Sequence, residues 1–332
     1  MKILFIGGSG NISSSVSRLC IQKGYELYLL NRGQNSVNID GAKHIKCDIN
    51  NLDRMKELLK EHYWDSVVNW IAFDPKDVER DIELFEGKTK QYIFISSASA
   101  YQKPPLNPVI TESTPLRNPY WDYSRNKIAC EDLLNNAYRN KNFPAVIVRP
   151  SHTYSNVIPV PIGGWTEYTI VDRIKKGLPI IVHGDGSSLW TLTHSDDFAV
   201  AFTGLIGNLK SIGHAFHITS DEALSWDQIH YYIADAVGTE ANIIHIPSDF
   251  IVKCEPSLEG SLLGDKTWTA IFDNSKIKSF VPYYRAVIPF QEGIKRTLKW
   301  FEEKPERMVV KKETNDMIDR IIGEYLKIGI RD

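Results

Sequence analysis

The 332-residue chain has little cysteine, little charge imbalance and no long apolar run. Its four cysteines, Cys20, Cys47, Cys130 and Cys254, lie far apart and form no C-x-x-C pair. That excludes a zinc knuckle or disulfide framework and points to reduced, buried thiols in a cytoplasmic protein. Neither sign of charge dominates, with 39 Lys+Arg against 41 Asp+Glu, so a broad basic footprint is missing, which argues against nucleic acid as a partner. No apolar run approaches the roughly 18 residues of a membrane-spanning helix. Met1–Gly8 carries too short an apolar run for a signal peptide and reads as a buried strand ending in a glycine turn. No metal site is expected, since His214 and His217 fall on opposite faces of the strand expected there. The G-x-S-x-G elbow of serine hydrolases is missing.

What is present is a rhythm of short apolar strands and helical segments. Strands are expected at Lys2–Ile6, Glu26–Leu30, His44–Cys47, Ser66–Ile71, Tyr92–Ser96 and Ala145–Val148. Apolar residues at helical spacing separate them, among them Ile12, Val16 and Leu19, then Leu52, Met55 and Leu59, then the long helix Ser124–Tyr138. Alternation of this kind predicts an α/β fold, a Rossmann-type doubly wound parallel sheet. After Arg149-Pro150 the pattern becomes mixed and implies a smaller α/β substrate domain over the carboxyl ends of the strands. The expected division is 1–155 with about 190–220 as the nucleotide-binding domain, 156–189 with 221–302 as the substrate domain, and 303–332 as a tail helix. In that tail Met317, Ile318, Ile321, Ile322 and Tyr325 recur at helical spacing.

Three clusters carry chemistry. Gly7-Gly8-Ser9-Gly10-Asn11-Ile12-Ser13 joins the first strand to the first helix, the context of a dinucleotide fingerprint. Gly7 allows the tight turn, and Gly10 lets the backbone approach a pyrophosphate seated on the helix N-terminus. Ser13 replaces the third glycine, and its bulk is expected to hold the helix slightly off the sheet. The second strand ends in Asn31-Arg32-Gly33, without the acid that binds a ribose 2′-hydroxyl. Arg32 suits a 2′-phosphate, which favours NADP, with NAD the alternative. Tyr123-Ser124-Arg125-Asn126-Lys127 sets a phenol and an ammonium one helical turn apart. A nearby ammonium favours the phenolate, so Tyr123 is expected to exchange a proton while a nicotinamide exchanges a hydride. The fifth strand ends in Ser96-Ser97-Ala98-Ser99, whose hydroxyls face the ligand crevice.

In this order and spacing the three clusters resemble the short-chain dehydrogenase/reductase superfamily, and the later segments resemble its extended branch, the NAD-dependent epimerase/dehydratase family. Cys47-Asp48-Ile49, Asn69-Trp70-Ile71-Ala72, Val148-Arg149-Pro150-Ser151, Gly184-Asp185-Gly186 and His194-Ser195-Asp196-Asp197 support the likeness over roughly residues 1–300. The resemblance implies Tyr123 as acid/base, Lys127 as holder of the nicotinamide ribose and tuner of Tyr123, and Ser97 as the serine hydroxyl of the triad, with Ser99 assisting or contacting substrate. It implies cofactor contacts from Gly7, Gly10, Asn11, Ile12, Asn31, Arg32, Asp48, Ile49, Ala72, Lys127 and Pro150. Ala98 and Ser99 stand where the family's dehydratases carry an Asp-Glu pair, which argues against a dehydratase. Trp190 stands where many nucleotide-sugar members carry a diphosphate-binding arginine, leaving Arg173 or Arg285 to supply that charge. Trp165 and Trp190 are read as an aromatic wall for a sugar face or flat ring. The implied function is an NAD(P)-dependent oxidoreductase or epimerase acting on a small sugar-like substrate, and a homodimer is possible by analogy. The alternative is a non-catalytic dinucleotide-binding protein with a regulatory or RNA-associated role.

Overall fold

The computed structural model describes residues 1–33 and 37–328. Seven strands form one sheet: β1 (Lys2–Ile6), β2 (Glu26–Asn31), β3 (Lys43–Lys46), β4 (Ser66–Asn69), β5 (Tyr92–Ile95), β6 (Ala145–Pro150) and β7 (Ala215–Ile218). Their spatial order is β7-β6-β5-β4-β1-β2-β3, and every pairing is parallel. All carboxyl ends therefore share one edge. The order reverses between β1 and β4, which opens the crevice where such sheets bind ligands. The expected strand around His214–Ile218 is the seventh member of this sheet, at its edge beside β6.

Side-chain alternation explains why both faces are covered. Ile3 and Phe5 pack with Val16 and Cys20 of α1 (Ser13–Gln22). Leu4 and Ile6 point the other way, into a core with Met55 of α2 (Leu52–Leu59), Val78 of α3 (Pro75–Phe85) and Cys130 of α4 (Asp122–Lys141). Helix α4 begins two residues before the expected start, so Tyr123 and Lys127 both lie within it.

A third core lies over the carboxyl edge. It gathers α5 (Thr169–Lys175), the parallel pair Ile180–His183 and Ile243–Ile246, and three helices: α6 (Trp226–Ala236), α7 (Phe290–Glu302) and α8 (Lys312–Ile328). The tail helix docks here through Ile318, Ile321 and Ile322, all buried. Arg173 does not reach the crevice. Its guanidinium is buried against α8, bonding Asn315 Oδ1 at 2.9 Å and Asp319 Oδ1 at 2.5 Å. The expectation that Arg173 serves a substrate diphosphate is thus corrected: it clamps the tail. Arg285 is likewise engaged, donating to the carbonyls of Pro282 and Tyr284. No helix among the described residues is long and apolar enough to cross a membrane.

Candidate functional site

One cleft of about 650 Å³ runs along the carboxyl edge from the glycine loop to a tryptophan-lined end. Gly7 and Gly8 adopt φ of +91° and +96°, and a Cβ on Gly8 would stand 2.7 Å from Leu29 Cδ2, so only glycine suits that turn. A Cβ on Gly10 would meet nothing nearer than Ser13 Oγ at 3.5 Å, so this face of the loop is open to a ligand. Ser13, expected only as added bulk, has a positive role: its hydroxyl accepts the Gly10 N–H at 2.8 Å. Ser17 Oγ donates to the Gly8 carbonyl at 2.7 Å and fixes the other end of the turn. Helix α1 takes no side-chain cap from Ile12, the residue before it, and its first turn holds no acid. Its leading N–H groups are therefore available to a phosphate. Asn11 and Ile12 line the cleft.

The adenosine end shows the same fit to a nucleotide. Asn31 uses Oδ1 to accept the Gly33 N–H at 3.0 Å, while its buried Nδ2 has no partner. A buried amide left unsatisfied implies a missing acceptor. Arg32 and Asp48 are exposed at this rim and Ile49 is half-buried beside them. None of these lines the main cleft. Sequence reasoning missed Lys46: its stem packs over Gly33, with Cε 3.4 Å from where a Cβ would stand, which brings a second cation to the tip of β2. The residues present thus fit a nicotinamide dinucleotide.

At the middle of the cleft the expected trio comes together. Tyr123, Ser97 and Lys127 all line this stretch. Ser97 Oγ lies 2.9 Å from Ser99 Oγ, and Ser124 Oγ donates to Ser99 Oγ at 2.7 Å. This chain of hydroxyls fixes Ser97 by joining the end of β5 to the start of α4. Lys127 is buried behind Tyr123, its Nζ 5.6 Å from the ring centroid, and donates to the carbonyls of Ala72 and Ile95 at 2.7 Å each. Ala72 therefore contributes by holding Lys127. Burial pushes the Lys127 ammonium down to about 8. Burial also pushes the Tyr123 phenol above its ordinary range, with Ser97 pulling it partly back. The expected lowering of Tyr123 by Lys127 is corrected for the protein alone, where desolvation dominates and the Asp265 carboxylate adds to it. Pro150 lines the same stretch.

The far end is more aromatic than the sequence implied. Trp165 and Trp190 both line it, as expected, and Trp121 joins them from the residue before α4. Trp165 packs against His152 at 4.3 Å, and Trp190 stacks on Trp226 at 5.8 Å. His152 is buried, and desolvation pushes its imidazole well below the usual range, so it stays neutral. Asp265 and Lys266, from a turn remote in sequence, complete the wall. No local motif marks either residue.

The NAD dependent epimerase/dehydratase family model matches residues 3–219. The 2′-dehydrokanamycin reductase of Streptomyces kanamyceticus is 23% identical over 286 residues, covering 86% of this chain and 80% of the relative. Chloroplast stem-loop binding protein of 41 kDa b from Arabidopsis thaliana is 28% identical over 265 residues, covering 75% and 67%. Among solved structures, the epimerase Mth375 of Methanothermobacter thermautotrophicus superposes with a TM-score of 0.73 at 17% identity, over 92% of this chain and 94% of its own. That last likeness speaks to the fold.

Proposed function

The chain belongs to the NAD dependent epimerase/dehydratase family, and on that premise we propose that it transfers a hydride at a hydroxyl/carbonyl carbon of a sugar-like substrate, with Tyr123 as acid/base. The observation that carries this reading is the meeting of Tyr123 and Ser97 in mid-cleft, with Lys127 buried behind the Tyr123 ring. When bound, the nicotinamide supplies the hydride acceptor or donor. The protein does the rest. Tyr123 takes the proton of the substrate hydroxyl as the carbonyl forms, or returns it in the reverse direction. Ser97 donates to the reacting oxygen and holds it in line with the phenol. Lys127 places a positive charge behind the phenol and favours the phenolate as it develops. Ala98 and Ser99 provide no carboxyls for water elimination, so the reading is a reductase or epimerase rather than a dehydratase.

The proposal extends to NADP as the favoured nucleotide, supported by Arg32, by the Lys46 stem over the next residue, Gly33, and by Asn31 in place of an acid. It assigns residues 1–155 with 190–220 to the nucleotide, 156–189 with 221–302 to the substrate and 303–332 to a tail, in a cytoplasmic homodimer. Replacing Tyr123 tests the chemistry. Tyr123→Phe is expected to lower turnover by about a hundredfold or more, the usual reach of a general acid/base, while NADPH affinity measured by fluorescence stays within about twofold. Full turnover in that variant would end the assignment. A second reading, a dinucleotide-binding RNA-associated protein, draws support from the stem-loop binding relative. It predicts instead that Tyr123→Phe changes nothing and that stem-loop RNA shifts in a gel at physiological salt.

A further inference from the structure

The tryptophan end of the cleft holds a charge arrangement that hydride transfer does not use. Lys103 and Lys266 are both buried and share one carboxylate, that of Asp265: Lys266 Nζ is 3.0 Å from Oδ2, and Lys103 Nζ is 3.7 Å from Oδ1. Two ammoniums against one carboxylate leave one positive charge without a partner and away from water, an arrangement that is costly unless an anion completes it. Burial pushes the Lys103 ammonium below the ordinary lysine range despite Asp265. Two further groups lack partners on the same wall. The indole Nε1 of Trp190 and Nε2 of His152 are buried without a hydrogen bond, on side chains 2% and 3% exposed that line the cleft.

The backbone that presents this charge is braced. Lys266 ends a π-helical turn, Leu262–Lys266, a form that recurs at functional sites. Its carbonyl accepts from Trp226 Nε1 at 3.0 Å and meets His183 Nε2 at 2.9 Å. Asn118 Nδ2 donates to the Gly264 carbonyl at 2.6 Å and to the Ser99 carbonyl at 2.9 Å, which ties the turn to the catalytic serines. The ammonium itself sits 5.9 Å from the Trp190 ring and 5.7 Å from that of Trp165, so apolar walls flank the charge.

We propose that this end of the cleft is a monoanion subsite, and that the substrate is a ring bearing one carboxylate, received by Lys266 and the Trp190 indole N–H while the ring lies against the tryptophans. A single surplus charge matches a carboxylate; a diphosphate would bring two. The inference rests on the hydride-transfer reading above, and the test separates the two. Intrinsic tryptophan fluorescence of the NADP-loaded protein would be titrated with D-glucuronate, D-glucose and D-glucosamine, which share a ring and differ in charge, and with UDP as a diphosphate probe. The expected result is glucuronate binding at least tenfold tighter than glucose and than UDP, with glucosamine weakest. Lys266→Met should remove the preference while NADPH still binds, and Trp190→Phe should reduce it if the lysine variant does not fold. The ranking on unsubstituted protein stands without either variant. Glucuronate binding no tighter than glucose, undetectable, or weaker than UDP would overturn the subsite, even if NADPH binds and Tyr123→Phe behaves as expected. Failure of NADPH to bind would instead remove the hydride-transfer reading.

Discussion

Lys127 holds its charge in a hole. Its Nζ is satisfied by two backbone carbonyls, of Ala72 and Ile95, and burial brings its pKa down from 10.5 to about 8. Between those values the unfolded chain binds a proton that the folded chain does not. Stability therefore rises with pH across that window on account of this residue. The parent should gain stability relative to Lys127→Met as pH climbs from about 8 to 10.5, measured by urea denaturation of both proteins. Parallel curves for variant and parent would contradict the burial account. At this scale the sequence reveals groups whose partners are near in the chain. Tyr123 and Lys127 share a helix face, and Ser97 closes the strand beside them, so local spacing exposes the trio. Lys266, Asp265 and Lys46 reach their sites through tertiary packing, and no spacing announces them. The fate of Arg173 was hidden for the same reason, since its partners lie on a tail helix far along the chain.

Elements with a clear period were legible, and those built by irregular backbone were not. The β1–β6 strands and α1–α4 follow from apolar runs and 3.6-residue spacing, with ends displaced by a few residues where capping or turn chemistry decides. Two departures show the limit. Ser13 was legible as a non-glycine, but its hydrogen bond to Gly10 was not, because a propensity says nothing of which N–H a hydroxyl meets. The π-helical turn at Leu262–Lys266 has no sequence period to detect. The tail helix offers a test at this scale. Ile321 is fully buried between α8 and the third core. Ile321→Ala should cost about 3 kcal/mol of stability, the usual range for a core isoleucine truncated to alanine. Cofactor affinity should be unchanged, because the lesion lies outside the cleft. A loss below about 0.5 kcal/mol in chemical denaturation, the size of an ordinary surface substitution, would mean that the tail is not docked as described.

For the whole molecule, the strand order decides where chemistry can occur. With β1 and β4 adjacent and the order reversing between them, the glycine loop, the end of β4 and the serine end of β5 open onto one cleft. The third core then covers the carboxyl edge and brings Trp190 onto the cleft. Alternating strands and helices made the sheet legible from sequence, and the family's glycine and Tyr-Lys signatures made the nucleotide legible. The identity of the substrate was not, because its wall is assembled from segments around residues 121, 152, 165, 190 and 266 that meet only in the fold. The central claim is that this cleft is an NADP-dependent hydride-transfer site. Fluorescence titration of the purified protein with NADPH and with NADH tests it most directly, with Arg32→Ala alongside. The account predicts NADPH binding at least tenfold tighter than NADH, and loss of most of that margin in Arg32→Ala. Equal affinity, or a preference for NADH, would contradict the assignment of NADP, and no binding of either nucleotide would contradict the site itself.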